Sequence, residues 1–184
     1  MHQVIWPNRH KWNDLLGVVV LALYAALPYR FCKVNHRHHH QFSATALDPD
    51  FPSEPGANAV TWYCQFMTGY LSTKQMTALL ITWSVLAIVC TTFTPATVIN
   101  VLLFCTLPLL LSSIQLFVFG TYLPHRRQRD HSDNRKPDSL DLPIWLSLLT
   151  CFHFGYHREH HENPGMAWFE LPKVKMVQRP LAAS

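Results

Sequence analysis

Twelve of the 184 residues are histidine, and six of these fall into two copies of one pattern. The segments His36-Arg37-His38-His39-His40 and His157-Arg158-Glu159-His160-His161 each contain H-x-x-H-H, at His36/His39/His40 and at His157/His160/His161. At this histidine content chance supplies about 0.05 such matches. Positions i, i+3 and i+4 of a helix share a face, so each triplet is expected to aim three imidazoles at one place. Neutral imidazole suits zinc, copper, iron or nickel. A closed zinc site takes four ligands, usually with cysteine among them. Six to eight imidazoles exceed what one ion needs, so a two-metal centre is the economical expectation. A redox metal there would activate oxygen. Hydrolysis by a dizinc site is the alternative, although the chain has no nucleophile elbow or phosphate cradle.

Other residues extend the candidate site. His125 ends the apolar run Phe119-Gly120-Thr121-Tyr122-Leu123-Pro124 and is expected to be a ligand. His153 forms H-x-x-x-H with His157, and is either a ligand or a partner within its own helix. His38 lies off the triplet pattern and reads as a bystander; His10 and His131 lie in polar segments and read as solvated. A ligating imidazole usually donates its other N–H to a carboxylate or carbonyl. Asp48 and Asp50 follow the first cluster, and Glu159 and Glu162 interleave with the second. Each either supports a ligand in this way or is a solvated charge.

The elements that must hold these residues are apolar. Hydrophobic residues make up 49% of the chain and charged ones 14%, against about 25% charged in soluble domains. No Asp, Glu, Lys or Arg occurs from Ala78 to Leu123. That stretch accommodates two spans of about 20 residues, at Lys74–Phe93 and Ala96–Tyr122, with a turn at Thr94-Pro95. The apolar run Leu15–Leu27 is short for a span, so a helix over 14–28 is expected to be partly embedded. The aromatic and polar mix of Ala59–Leu71 suits an interface. The expected fold is therefore all-α and integral to the membrane. One domain over 1–184 would combine a transmembrane hairpin and interfacial helices with a histidine-rich di-metal site. Arg126–Asp141 is polar and reads as a mobile loop. Cys32, Cys64, Cys90, Cys105 and Cys151 form no C-x-x-C pair and read as reduced thiols.

Charge gives the orientation. Arg30, Lys33, Arg37 and Lys74 precede the hairpin, and Arg126, Arg127, Arg129, Arg135, Lys136, Lys173, Lys175 and Arg179 follow it. Its turn carries no basic residue, so the positive-inside rule puts both histidine clusters on the cytoplasmic face. The net charge of +4 fits a membrane surface and makes no case for nucleic acid.

Longer segments flank the histidines. These are Leu47-Asp48-Pro49-Asp50-Phe51, SSIQLFVFGTYLPHR over Ser112–Arg126, LTCFHFGYHREHHENP over Leu149–Pro164, and AWFELP over Ala167–Pro172. Together with the paired H-x-x-H-H they resemble the membrane fatty-acid hydroxylase and desaturase superfamily. Within it they look most like the CrtW-type β-carotene ketolases. The resemblance runs along essentially the whole chain and is weakest in Arg126–Asp141 and after Pro172. It implies two iron ions (Fe2+) held by histidine boxes, O2 as oxidant, and electrons from a ferredoxin-type donor. It implies a carotenoid substrate in membrane lipid, oxidised at the C4 methylene of its β-ionone rings. A ketone would arise there by two hydroxylations and loss of water, taking β-carotene to echinenone and canthaxanthin. His36, His39 and His40 match the family's second box, His157, His160 and His161 its third, and His125 the LPH histidine. The family's first box reads H-D-A-M-H, and Met1-His2 aligns with its end. His2 is then the second histidine of that box, and the first helical hairpin is expected to be missing, leaving a weakened metal site. The alternatives are a carotenoid hydroxylase or fatty acid desaturase of the same superfamily, or an inactive truncated membrane protein.

Overall fold

The computed structural model describes residues 2, 5–6, 8–54, 56–95, 97–127 and 136–178, and all regular structure among them is helical. We number the helices α1 (His10–Ala25), α2 (Tyr29–Phe42), α3 (Ala59–Tyr70), α4 (Thr73–Thr91), α5 (Val98–His125), α6 (Ile144–Cys151), α7 (His157–Glu162) and α8 (Leu171–Gln178). A 3-10 turn at Trp168–Glu170 leads into α8.

Helices α4 and α5 are the two described helices long and apolar enough to cross a membrane. The start of α4 is fixed by a capping box: Gln75 N–H donates to Ser72 Oγ (3.3 Å), and Ser72 N–H to Gln75 Oε1 (2.8 Å). Its 19 residues rise about 28 Å, the thickness of a hydrocarbon core. On α5 large exposed apolar side chains run from Val98 to Leu116, a stretch as long as α4. Beyond it Phe117, Gly120 and Thr121 are buried in protein. The expected second span ends at Tyr122, whereas the helix continues through His125 and makes that residue part of a rigid rod. Two stretches of α5, Leu102–Thr106 and Phe117–Tyr122, are π-helical.

The helix expected over 14–28 begins earlier and stops at Ala25, because Ala26 turns left-handed (φ 51°) and Pro28 opens the next helix. Helix α2 leaves α1 at 101°. Gly17 makes this corner possible: a Cβ there would lie 2.2 Å from the Tyr29 ring. Tyr29 Oη donates to Asp14 (2.5 Å) and Lys33 Nζ reaches the same carboxylate (2.6 Å). Where α3 crosses the second π stretch of α5, Ala44, Phe51, Trp62 and Phe117 form a small aromatic core.

The segment expected to be mobile is tied down over 136–141. Asp138 N–H donates to Pro124 O and Leu140 N–H to Gly155 O, both at 2.8 Å. Arg158 reaches Pro137 O and Asp138, each at 3.1 Å, and Lys136 pairs with Glu162 at 2.8 Å. Lys175 donates to Leu140 O (3.0 Å) and pairs with Asp141 (2.8 Å). This strap joins the end of α5 to α7 and α8. Its polar composition reflects ion pairing, and that is why it reads as a loop in sequence. Arg129, His131, Arg135 and Arg179 lie outside the described residues. All five cysteines are free thiols.

Candidate metal centre

Eight imidazoles converge in two quartets, His2/His36/His40/His160 and His39/His125/His157/His161, the donor nitrogens of each lying within 4.8 Å of one another. In the first, His2 Nε2 is 2.8 Å from His36 Nε2 and 3.2 Å from His40 Nε2, and His40 Nε2 is 3.0 Å from His160 Nε2. In the second, His157 Nε2 is 2.8 Å from His125 Nε2 and 3.0 Å from His161 Nε2, which is 3.1 Å from His39 Nε2. Donors about 2 Å from one ion stand roughly 3–3.4 Å apart, so each quartet has the spacing of a four-ligand site.

This arrangement corrects the expectation that each triplet serves one ion. His36 and His40 go to one quartet and His39 to the other; His157 and His161 go to one and His160 to the other. Helix geometry explains the split. At about 100° per residue, i+4 lies about 40° to one side of i and i+3 about 60° to the other. The i, i+4 pair is the closer one and shares an ion, and i+3 crosses to the neighbouring site. The two boxes thereby interleave, and the rings of His40 and His161 stack between the sites at 4.2 Å.

The quartets differ in shelter. His39, His125 and His157 are buried, whereas all four members of the quartet containing His2 are half-buried. Burial, reinforced by neighbouring imidazoles, holds His160 down at about 3 and pushes His157 and His161 far below the ordinary histidine range. These rings are neutral near pH 7, with lone pairs free for a metal. Eight imidazole donors without a thiolate fit two ions of the iron, copper, nickel or zinc type.

Asp48 shows how one ligand is aimed. Its buried carboxylate lies 2.9 and 3.1 Å from His39 Nδ1 and accepts the N–H groups of Ala44 and Asp50, each at 2.9 Å. A carboxylate there fixes the proton on Nδ1 and turns the Nε2 lone pair to the centre. Asp50 stands one step back, 4.0 Å from His39 Nδ1. It accepts from Tyr70 Oη at 2.7 Å, and its carbonyl accepts from Trp62 Nε1 at 2.8 Å. Glu159 and Glu162 reach the strap: Glu159 accepts the Ser139 hydroxyl and Glu162 pairs with Lys136. They hold α7 in place, and Ser139 in turn accepts Arg158 N–H at 3.1 Å.

His153 lies outside both quartets, buried beside Tyr156 and Trp168 (ring centroids 5.6 and 6.0 Å away). The chain turns left-handed at Phe152 and His153, so the helical H-x-x-x-H reading fails there. His38 packs on Phe42 and His10 is exposed on α1. Sequence reasoning missed Ser139, Tyr70 and Phe154. The Phe154 ring lies 5.6 Å from His157 and 5.8 Å from His160, one in each quartet. It fits there because Gly120 has no Cβ, which would approach it to 2.6 Å.

Two histidine quartets spaced for metal ions, beside two helices long and apolar enough to cross a membrane, mark a class of protein, and comparison with known sequences gives its family. The fatty acid desaturase family model matches residues 1–183, and the chain belongs to that family. It is 38% identical over 177 residues to a beta-carotene ketolase of Paracoccus sp. strain N81106, covering 95% of this chain and 70% of that protein. It is 34% identical to a zeaxanthin 4-ketolase of Chlamydomonas reinhardtii, covering 99% of this chain and 40% of the relative. A beta-carotene ketolase of Haematococcus lacustris is also 34% identical, with 96% and 56% covered. The chain thus spans about two thirds of the bacterial relative and about half of the algal ones. No solved structure matches significantly.

Proposed function

We propose that this chain is a β-carotene 4-ketolase, oxidising the C4 methylene of β-ionone rings to a ketone. The observation that carries the reading is the pair of interleaved histidine quartets in a chain 33–38% identical to carotenoid ketolases over most of its length. The quartets would hold two iron ions, one through His2, His36, His40 and His160 and the other through His39, His125, His157 and His161. When bound, the irons supply activation of O2 for C–H oxidation, with electrons from a ferredoxin-type donor. The chain's own residues supply placement. Asp48 keeps the proton of His39 away from the ion, and the strap holds the α7 ligands against the end of α5. Phe154 offers an apolar wall beside both sites. The C4 hydrogens are allylic to the polyene, so the chemistry needs a ring end held at the centre with water excluded. The basic residues on either side of the hairpin support a cytoplasmic position for the centre, and the exposed apolar faces of α4 and α5 support contact with lipid.

The test is expression in bacteria that accumulate β-carotene. Echinenone and canthaxanthin in pigment extracts are the expected products, with iron co-purifying at two ions per chain. Hydroxylated carotenoids without ketones would move the reading to the carotenoid hydroxylases. Full activity in a His160→Ala variant would remove the metal assignment.

A further inference from the structure

Between Asp141 and Arg158 the chain has no charged residue. The segment is shorter than the ~20 residues a span needs, and it leaves and returns on one side. Its neck is the hydrogen bond from Leu140 N–H to Gly155 O. Inside the loop, α6 displays Trp145 (64% exposed) and Leu149 (70%), and Phe152 (68%) follows at the turn. Trp168, also exposed, lies against Phe152 at 5.9 Å.

The backbone of this turn shows what surrounds it. The last carbonyls of a helix have no intrahelical partner and are met by side chains, by water or by a left-handed turn at the helix end. Here each is paired within the protein. Ser147 O accepts from His153 N–H, Leu148 O from Phe152 N–H and Cys151 O from Phe154 N–H. Leu149 O accepts from the Gln115 amide at 3.2 Å, and Thr150 O from the same amide. The left-handed turn at Phe152 accounts for the bonds to Ser147 O and Leu148 O in any solvent; the Gln115 bonds close off Leu149 O and Thr150 O without water, as a lipid environment demands of a backbone.

Gln115 also fixes the depth. It stands next to Leu116, the last residue of the exposed apolar stretch of α5. His125 is ten residues further along, about 15 Å. The tip of the loop therefore reaches the edge of the hydrocarbon-matching part of α5, where Leu111 (56% exposed) and Ile114 (40%) are also exposed.

We infer that α6 and the turn to Phe152 form a third membrane contact, a foot whose Leu149 and Phe152 enter the acyl-chain region from the histidine side. This rests on the reading of α4 and α5 as transmembrane. Its occupant is lipid hydrocarbon, with Trp145 and Trp168 at the level where indoles settle. The limb that leaves the foot carries Phe154 to both quartets, so one short segment joins the lipid to the metal centre.

The test uses the full chain in phosphatidylcholine vesicles doped with a lipid bearing a diazirine on its acyl chain, followed by photolysis and peptide mapping. Adducts per residue on Ile144–Phe152 are expected within about threefold of those on Leu107–Leu116. Labelled α4 and α5 with less than about a third of that density on α6 would overturn the foot alone. Absence of adducts on α4 and α5 would instead remove the transmembrane reading itself.

Discussion

Removal of single ligands tests the division of the two histidine boxes between two ions. His160 and His161 are neighbours in sequence yet belong to different quartets, while His40 and His160 come from different boxes and share one. A four-ligand site binds its ion with about 10–16 kcal/mol, so one ligand of four contributes about 2.5–4 kcal/mol. That corresponds to roughly 10²–10³ in affinity. Iron retained per chain after competition with a chelator, set between the two affinities, reads the effect. His160→Ala and His161→Ala are each expected to retain one ion of two. The His40→Ala/His160→Ala pair should also retain one, because both changes strike one site. The His160→Ala/His161→Ala pair should retain none. Loss of both ions from the His40/His160 pair, or retention of one by the His160/His161 pair, would refute the interleaved assignment.

Asp48→Asn keeps an acceptor for His39 Nδ1–H but removes its charge, and should weaken one ion by about 10–100-fold while sparing the other, measured by the same competition. Gly120→Ala puts a Cβ 2.6 Å from the Phe154 ring; displacing that ring should cost about 1–3 kcal/mol, and an unchanged Tm would contradict the contact. The metal-free chain should lose stability as pH falls below about 6.5. His157, His160 and His161 have depressed folded pKa values, so the unfolded chain binds protons that the folded one refuses. His2, His36 and His40 are depressed as well, and each such proton adds about 1.4 kcal/mol per pH unit to the slope. A Tm that stays flat from pH 7.5 to 5 would contradict the burial of these rings.

Much of the site can be read from residue types and spacing, because a metal centre must be built from ligands and helices repeat them regularly. The histidine triplets, His125 and Asp48 are legible in this way, as are the two spans. What escapes is information carried by angles and by chain reversals. Spacing places i, i+3 and i+4 on one face, but only the 40° and 60° offsets divide them between two ions. The Lys136–Asp141 strap resembles a solvated loop because its charges find partners far away in sequence, on Glu162, Arg158 and Lys175. The run from Leu142 to Phe154 is too short to look like a span and too apolar to look like a loop. Its nature depends on Gln115, more than twenty residues upstream. His153 carries a helical spacing that two left-handed residues cancel.

The π-helical stretch Phe117–Tyr122 gives α5 slack just before its ligand. Pairing i to i+5 instead of i to i+4 absorbs one additional residue in a turn. Removing one residue there, other than Gly120, would let the helix relax to ordinary pitch, and the segment beyond would keep nearly its phase, because the wide turn had already taken that residue up. His125 would go on facing its quartet. A residue added to the same stretch would find no such slack and would rotate everything beyond by about 100°, swinging His125 out of its quartet. The spacing between Phe117 and His125 is therefore forgiving in one direction and strict in the other.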